Sequence, residues 1–295
     1  MIFSQRHNNN NFLKKTPQQI RNYGPTKRVI LFTNARNEEN IREWAAHHLL
    51  LGFDCIYIFD HKSNPPLNTY FKNFDKRVII ERCELKNPVK LKLMQRAVSI
   101  SRTYNADWFL YLDADEFLVL NNYKGVKHML NNFNHADSLS INWLMFGTNN
   151  HKKTPSGLIM ENYTKSQLNV DQHVKTFVRP NEVVNAINPH YYYIRNPLRM
   201  ISINNKIMNA NNYAFNTTNT DKTFNETPSY IAHYVYQSEE TYVKRKVLLE
   251  ADDSGIKRKR DLTIHNRYNN VDNKQLLDKY SNNVKLFLHY YNEKK

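Results

Sequence analysis

Glycine is scarce in this chain, 6 among 295 residues. That shortage argues against a glycine-rich phosphate loop. Neither G-x-x-x-x-G-K-[ST] nor G-x-G-x-x-G occurs, so P-loop ATPase and dinucleotide-fingerprint readings lose their main support. Cysteine is scarcer still, at 2. Cys55 and Cys83 cannot form a disulfide framework or a four-cysteine zinc site. Each sits in an apolar run, which predicts reduced core thiols and a cytosolic compartment. No apolar run is long enough to cross a membrane. The stretch from Met1 to Asn11 lacks the apolar segment of a signal peptide. A cytoplasmic chain is therefore expected.

Charge of one sign dominates what is present. Lysine and arginine number 42 against 27 acids, a formal net charge of +15. Such a balance fits an anionic partner. Late basic runs, Lys244-Arg245-Lys246 and Lys257 to Arg260, are weak candidates for a localisation or nucleic-acid patch. Hydrophobic residues make up 40% and aromatics 13%, enough for a core of one large domain.

The most informative stretch runs from Trp108 to Leu118. Five apolar residues, Trp108 to Leu112, predict a strand buried on both faces. Asp113, Asp115 and Glu116 follow at once. A strand interior cannot hold that much unpaired charge, because burying one carboxylate costs several kcal/mol. The acids must sit at the strand's C-terminal end, where open parallel sheets bind ligands. An Asp-x-Asp pair there can hold a hard divalent cation, and through it a diphosphate. The plain alternative is a strand-terminal pair that caps the next helix.

Around it, the pattern alternates. Arg28–Thr33 reads as a strand and 37–51 as a helix, with Ile41, Trp44, Ala45, His48 and Leu49 on one stripe and Gly52 closing it. Strands are expected over 54–59 and 77–81, and helices over 67–74 and 90–104. This βαβαβαβ order predicts an α/β doubly wound mixed sheet with a nucleotide-binding half. Further short strands are expected at 138–143, 157–160, 173–178, 190–194 and 231–236. A mobile loop is expected over 204–227, a helix capped by Ser238, and a last helix begun by an Asp272/Gln275 capping box. Residues 1–26 read as a flexible N-terminal arm.

Four segments together resemble the nucleotide-sugar glycosyltransferases of the GT-A fold, in particular the family 2-like group that includes family 92. They are Ala35-Arg36-Asn37-Glu38-Glu39 with Glu43-Trp44 and His47-His48; Ala106-Asp107-Trp108 with Asp113-Ala114-Asp115-Glu116-Phe117-Leu118; Trp143 to Gly147 with Lys175 and Arg179-Pro180; and His233-Tyr234 with Ser238-Glu239-Glu240. Arg36 stands where lysine is usual, and Gln237-Ser238 where Lys-Ser is usual. The resemblance implies a GT-A domain over 27–246, with a nucleotide-sugar half at 27–120 and an acceptor half at 138–246. A basic helical extension covers 247–295.

The resemblance also implies an enzyme that moves a sugar from a nucleoside-diphosphate sugar, UDP-linked by preference, to a hydroxyl acceptor with inversion. Manganese or magnesium would be held by Asp113, Asp115 and His233, although a strand histidine is equally a core residue. Glu116 either orients a metal-bound water or pairs with a lysine. Asn34, Arg36, Asn37, Asp60, Gln95 and Asp113 are the candidate nucleotide contacts. Inversion needs a general base, for which Glu161 and Asp171 are the candidates, with Asp137 behind them. Lys175 and Arg179 are candidate diphosphate or acceptor contacts. Two other classes stay open. One is a metal-dependent nucleic-acid enzyme or nucleotidyltransferase using the same acids and the basic surface, though nucleic acid is not the expected partner. The other is a binding module without turnover, against which the intact Asp113 and Asp115 argue. Oligomeric state is not legible.

Overall fold

The computed structural model describes residues 22–208 and 220–293. The expected arm over 1–26 thus lies outside the described residues up to residue 21, and the expected 204–227 loop does so over 209–219. Tyr23, near the end of that arm, is docked. Its hydroxyl donates to Asp137 Oδ1 at 2.8 Å, and the Arg179 guanidinium lies 3.5 Å from its ring centroid.

The first half alternates as its periodicity predicts: β1 (Val29–Ala35), α1 (Ile41–Leu50), β2 (Cys55–His61), β3 (Val78–Cys83), α2 (Lys90–Thr103) and β4 (Trp108–Tyr111). There follow β5 (Glu116–Leu120), α3 (Val126–Asn131), β6 (Ser138–Met145), α4 (Ile159–Asn162), β7 (Lys165–Ser166) and β8 (Val174–Val178). The rest comprises β9 (Val183–Asn188), β10 (Tyr191–Ile194), β11 (Met200–Ser202), β12 (Ser229–His233), α5 (Glu239–Tyr242), β13 (Val271–Asp272) and α6 (Asn282–Glu293). The main sheet has the order β3-β2-β1-β4-β8-β6-β12-β5, with β11 beside β6. Strands β3, β2, β1 and β4 are parallel. The sheet then turns mixed, because β8 runs antiparallel to both β4 and β6, and β5 antiparallel to β12.

Burial explains the continuous apolar strands. In β1, Val29 and Leu31 pack into one core with Trp44, Leu49, Leu110 and Phe117. Ile30 and Phe32 pack into the other, with Leu93, Ala97, Phe109 and Tyr192. A strand covered on both faces has no polar side to show. Helix α1 does more than fill space. Its Trp44 Nε1 donates to Glu116 O at 2.7 Å, and His47 Nε2 lies 2.8 Å from Leu118 O. Leu118 N donates to His48 Nε2 at 3.3 Å. The buried Glu43 carboxylate accepts from Ile159 N at 2.7 Å and Met160 N at 3.1 Å, so it caps α4 from a distant element. Gly147 is required where it stands, since a Cβ there would lie 2.2 Å from Asn269 Oδ1.

Several boundaries differ from the sequence reading. The apolar run at 157–160 is not a strand: Leu158 is extended and α4 begins at Ile159, because the Glu43 carboxylate offers its amides a cap. The helix expected over 67–74 shrinks to a single 3-10 turn, Leu67–Thr69. At the last helix Asn273, not Asp272, accepts from Gln275 N, at 3.1 Å, since Asp272 is in β13. Ser238 caps as expected, accepting from Thr241 N at 3.0 Å. Both cysteines are free thiols. No helix among the described residues is long and apolar enough to cross a membrane.

Candidate functional site

The turn between β4 and β5 is built by its own acids. Asp113 N donates to Glu116 Oε2 at 2.9 Å, and Glu116 N to Asp113 O at 3.1 Å. Asp115 O accepts Tyr234 N at 2.9 Å, which brings the end of β12 and His233 alongside. The turn forms the floor of a cleft enclosing about 1030 Å³, open solvent at its mouth included. Asn34 lines it from β1, Arg36 from just beyond that strand, Trp143 from β6, Lys175 from β8 and His233 from β12. The stretch from Arg245 to Arg258 covers it.

The two aspartates have different surroundings. Asp115 is 1% exposed. Its Oδ2 meets Arg245 Nη2 at 3.1 Å and Lys246 Nζ at 3.3 Å. Its Oδ1 has no hydrogen-bond partner among the described residues and faces His233 Nε2 at 3.7 Å. Asp113 is held by Lys90 Nζ on Oδ1 and by Lys175 Nζ on Oδ2, at 3.1 Å. Burial opposes ionisation of both. Lys175 and Lys90 outweigh it at Asp113, and Lys246 and Arg245 at Asp115, so both carboxyls sit below the usual range. At Glu116 burial wins and the carboxyl is pushed well above its ordinary value, despite Lys175 at 3.6 Å. The acids of one turn are thus shifted in opposite directions, Asp113 and Asp115 down and Glu116 up. Burial likewise pushes the His233 imidazole down to about 4 and that of His190 to about 3, keeping both neutral.

A neutral imidazole nitrogen facing an unpartnered buried carboxylate oxygen is a donor set that a divalent cation fits. Asp113 is committed to its two lysines, and no group of three or more His, Cys, Asp or Glu side chains among the described residues forms a ligand cluster. Of the three expected ligands, the fold brings Asp115 and His233 face to face and turns Asp113 toward its lysines.

The other expected residues divide. Asn34 lines the cleft, donating to Asp252 Oδ2 at 2.5 Å and accepting from the Tyr111 hydroxyl at 3.0 Å. Arg36 lines it with a buried Nε that has no partner among the described residues. Asn37, Asp60, Gln95, Glu161 and Asp171 are not in its lining. Asn37 Oδ1 accepts Asn64 N at 2.8 Å. Asp60 takes Ser63 N, Leu67 N and Arg82 and shapes the loop after β2. Gln95 Oε1 accepts Ala186 N, tying α2 to β9. Glu161 pairs with Lys285 at 2.5 Å. Asp171 meets His173 Nδ1 at 2.5 Å, and the His173 ring stacks on Trp143 at 5.0 Å between centroids. Arg179 is not a cleft residue, because its guanidinium is sandwiched between Tyr23 and Trp108.

Sequence reasoning passed over Lys90, His190 and Asp252, and quoted Trp143 only as part of a family segment. Lys244-Arg245-Lys246 reads from sequence as a weak candidate for a localisation or nucleic-acid patch, whereas Arg245 and Lys246 turn inward onto Asp115. The signal available was the Ser238 cap. It starts a helical turn that carries these two cations past the end of β12.

The model of glycosyltransferase family 92 matches residues 30–271. The chain belongs to glycosyltransferase family 92. A family 92 protein of Ricinus communis is 23% identical over 198 residues, covering 63% of this chain and 35% of its own length. One of Oryza sativa subsp. japonica is 22% identical over 230 residues, covering 74% and 38%. The chain therefore spans little more than a third of the length of these curated relatives. Among solved structures, UDP-glucose pyrophosphorylase complexed with UDP-glucose overlaps 74% of this family 92 chain and 96% of its own, at 11% identity and a TM-score of 0.30. An overlap that loose bears on neither ligand nor chemistry.

Proposed function

We propose that this family 92 chain transfers a sugar from a nucleoside-diphosphate sugar, UDP-linked by preference, to a hydroxyl acceptor with inversion. The observation that carries the reading is Asp115 Oδ1, buried and unpartnered opposite His233 Nε2 at 3.7 Å, at the end of the central strand and inside the cleft. Asp115 and His233 would hold manganese or magnesium, which when bound supplies Lewis-acid neutralisation of the departing diphosphate. Fixed cations and carboxylates nearly balance in the lining, so a divalent ion would tip the cleft toward an anionic donor. Asn34 and Arg36, at and just after the end of β1, would meet the nucleotide, for which Arg36 has a buried Nε without a partner among the described residues. Val235 and Trp143 also line the cleft and would shield the reacting carbon from water.

Of the two candidate bases, Asp171 is favoured over Glu161. It adjoins the Trp143 wall of the cleft through His173, while Glu161 is engaged by Lys285. Burial works against the Asp171 charge, but His173 holds the carboxyl below its ordinary value, so it is ionised and able to accept a proton. The nucleic-acid alternative gains no support, because Arg245 and Lys246 face inward rather than forming an open basic track.

The test is a panel of UDP-, GDP- and ADP-sugars assayed for sugar release with manganese and with chelator. Manganese-dependent release from one nucleotide class supports the reading. No release from any donor, with intact folding, refutes it.

A further inference from the structure

The first aspartate of the Asp-x-Asp pair has a task that a metal-ligand role does not explain. Lys90 and Lys175 come from different elements, the first residue of α2 and the second of β8. They are 3% and 1% exposed. Burying two ammonium groups costs several kcal/mol each unless each finds compensation. Asp113 supplies it to both, with Oδ1 to Lys90 and Oδ2 to Lys175. Lys90 has a further acid in Asp252 at 3.4 Å and lies 5.2 Å from the Tyr111 ring centroid. Lys175 is fixed by Pro189 O at 3.2 Å and sits 5.6 Å from the centre of the Trp143 ring. Lys175 is the member that lines the cleft. Each Asp113 oxygen already serves an ammonium group, so a cation there would have to share its oxygen with a lysine.

We propose that Asp113 is the counter-ion of a buried lysine pair, and that Lys175 binds the donor diphosphate directly, independently of any divalent ion. This rests on the donor reading above. Asp113 is then a positioning residue, and the divalent ion belongs to Asp115 and His233 alone. The Lys175 ammonium donates to Asp113 Oδ2 and Pro189 O, and its remaining N–H, on a long flexible stem, suits a phosphate oxygen as a point charge. A diphosphate oxygen would compete with Asp113 Oδ2 for the same ammonium, so the pair would share it rather than break.

The probe is UDP, titrated calorimetrically into the full chain in chelator. Wild type should bind, and Lys175→Met should weaken binding tenfold or more, while Lys175→Arg retains most of it. Manganese binding, followed by electron paramagnetic resonance in the presence of UDP, gives a readout apart from activity. Asp113→Asn should leave manganese affinity within about twofold, whereas Asp115→Asn should abolish it. Circular dichroism checks each variant's fold. The manganese comparison stands even if Lys175→Met fails to fold. Equal loss of manganese in Asp113→Asn and Asp115→Asn would overturn the proposal. So would UDP binding in chelator that is unchanged in a folded Lys175→Met. If UDP binds only with manganese and ignores Lys175, the inference falls while the donor reading stands. If UDP binds under neither condition, both fall.

Discussion

Glu43 offers a stability experiment whose sign and size follow from the structure. Its carboxyl lies buried in α1, its two oxygens accepting from Ile159 N and Met160 N. Burial pushes its pKa from 4.5 to about 8, against the opposing pull of those two amides. In the unfolded chain the group titrates near its ordinary value. Between the two values the folded state keeps a proton that the unfolded state has lost. The stabilisation is therefore full below pH 4.5 and lost as pH climbs toward 8. A shift of that size corresponds to on the order of 5 kcal/mol, at 1.36 kcal/mol per unit. For a chain of this length that is on the order of 10 °C in melting temperature. Glu43→Gln removes the titration and keeps one acceptor oxygen. Its amide meets the second N–H badly, which costs the variant about 1–2 kcal/mol at every pH. Urea melts of both proteins at pH 5, 7 and 8.5 should show the variant less stable at pH 5 and gaining steadily on wild type above it. A stability difference that stays flat across that range would show that Glu43 does not titrate there, and that the amides hold it ionised.

Asp115→Ala should abolish sugar transfer while the fold survives, because Arg245 keeps Glu38 at 2.7 Å; full activity in a sugar-release assay would remove Asp115 from the site. His233→Ala should raise the manganese concentration needed for half-maximal activity, and an unchanged titration would return His233 to the core. Trp44→Phe leaves the buried Glu116 carbonyl without its indole donor and should cost about 1–3 kcal/mol in a urea melt. Gly147→Ala forces a Cβ onto Asn269 and the Tyr268 backbone, and should destabilise by about 1–3 kcal/mol.

The parallel half and the position of the acids were legible because burial leaves few choices. Trp108 to Leu112 could only be a covered strand, and Asp113 to Glu116 could only lie beyond its end. Local chemistry also spoke at Ser238, whose cap is a property of four consecutive residues. What could not be read is pairing at long range. Nothing near Lys90 announces that it will meet Asp113 and Asp252, which are 23 and 162 positions away. The run from Leu158 to Met160 is apolar enough for either state, and the deciding carboxylate comes from Glu43, 116 positions earlier. Glu43-Trp44 with His47-His48 marks the family, yet these side chains clamp α1 to β5 and α4 and touch no ligand pocket. A recurring motif can thus record how a site is braced rather than what it does.

The stretch after α5 has a practical consequence. Asp252 O receives both Val89 N and Lys90 N at the start of α2, its side chain holds Asn34, and Arg245 and Lys246 reach Asp115 from the same side. One continuous span therefore stitches together the ends of β1, α2 and the acidic turn. A chain cut just after Tyr242 would keep every recognisable signature and still lose the roof of its cleft. Minimal versions of this protein should be drawn by that span, not by the last motif.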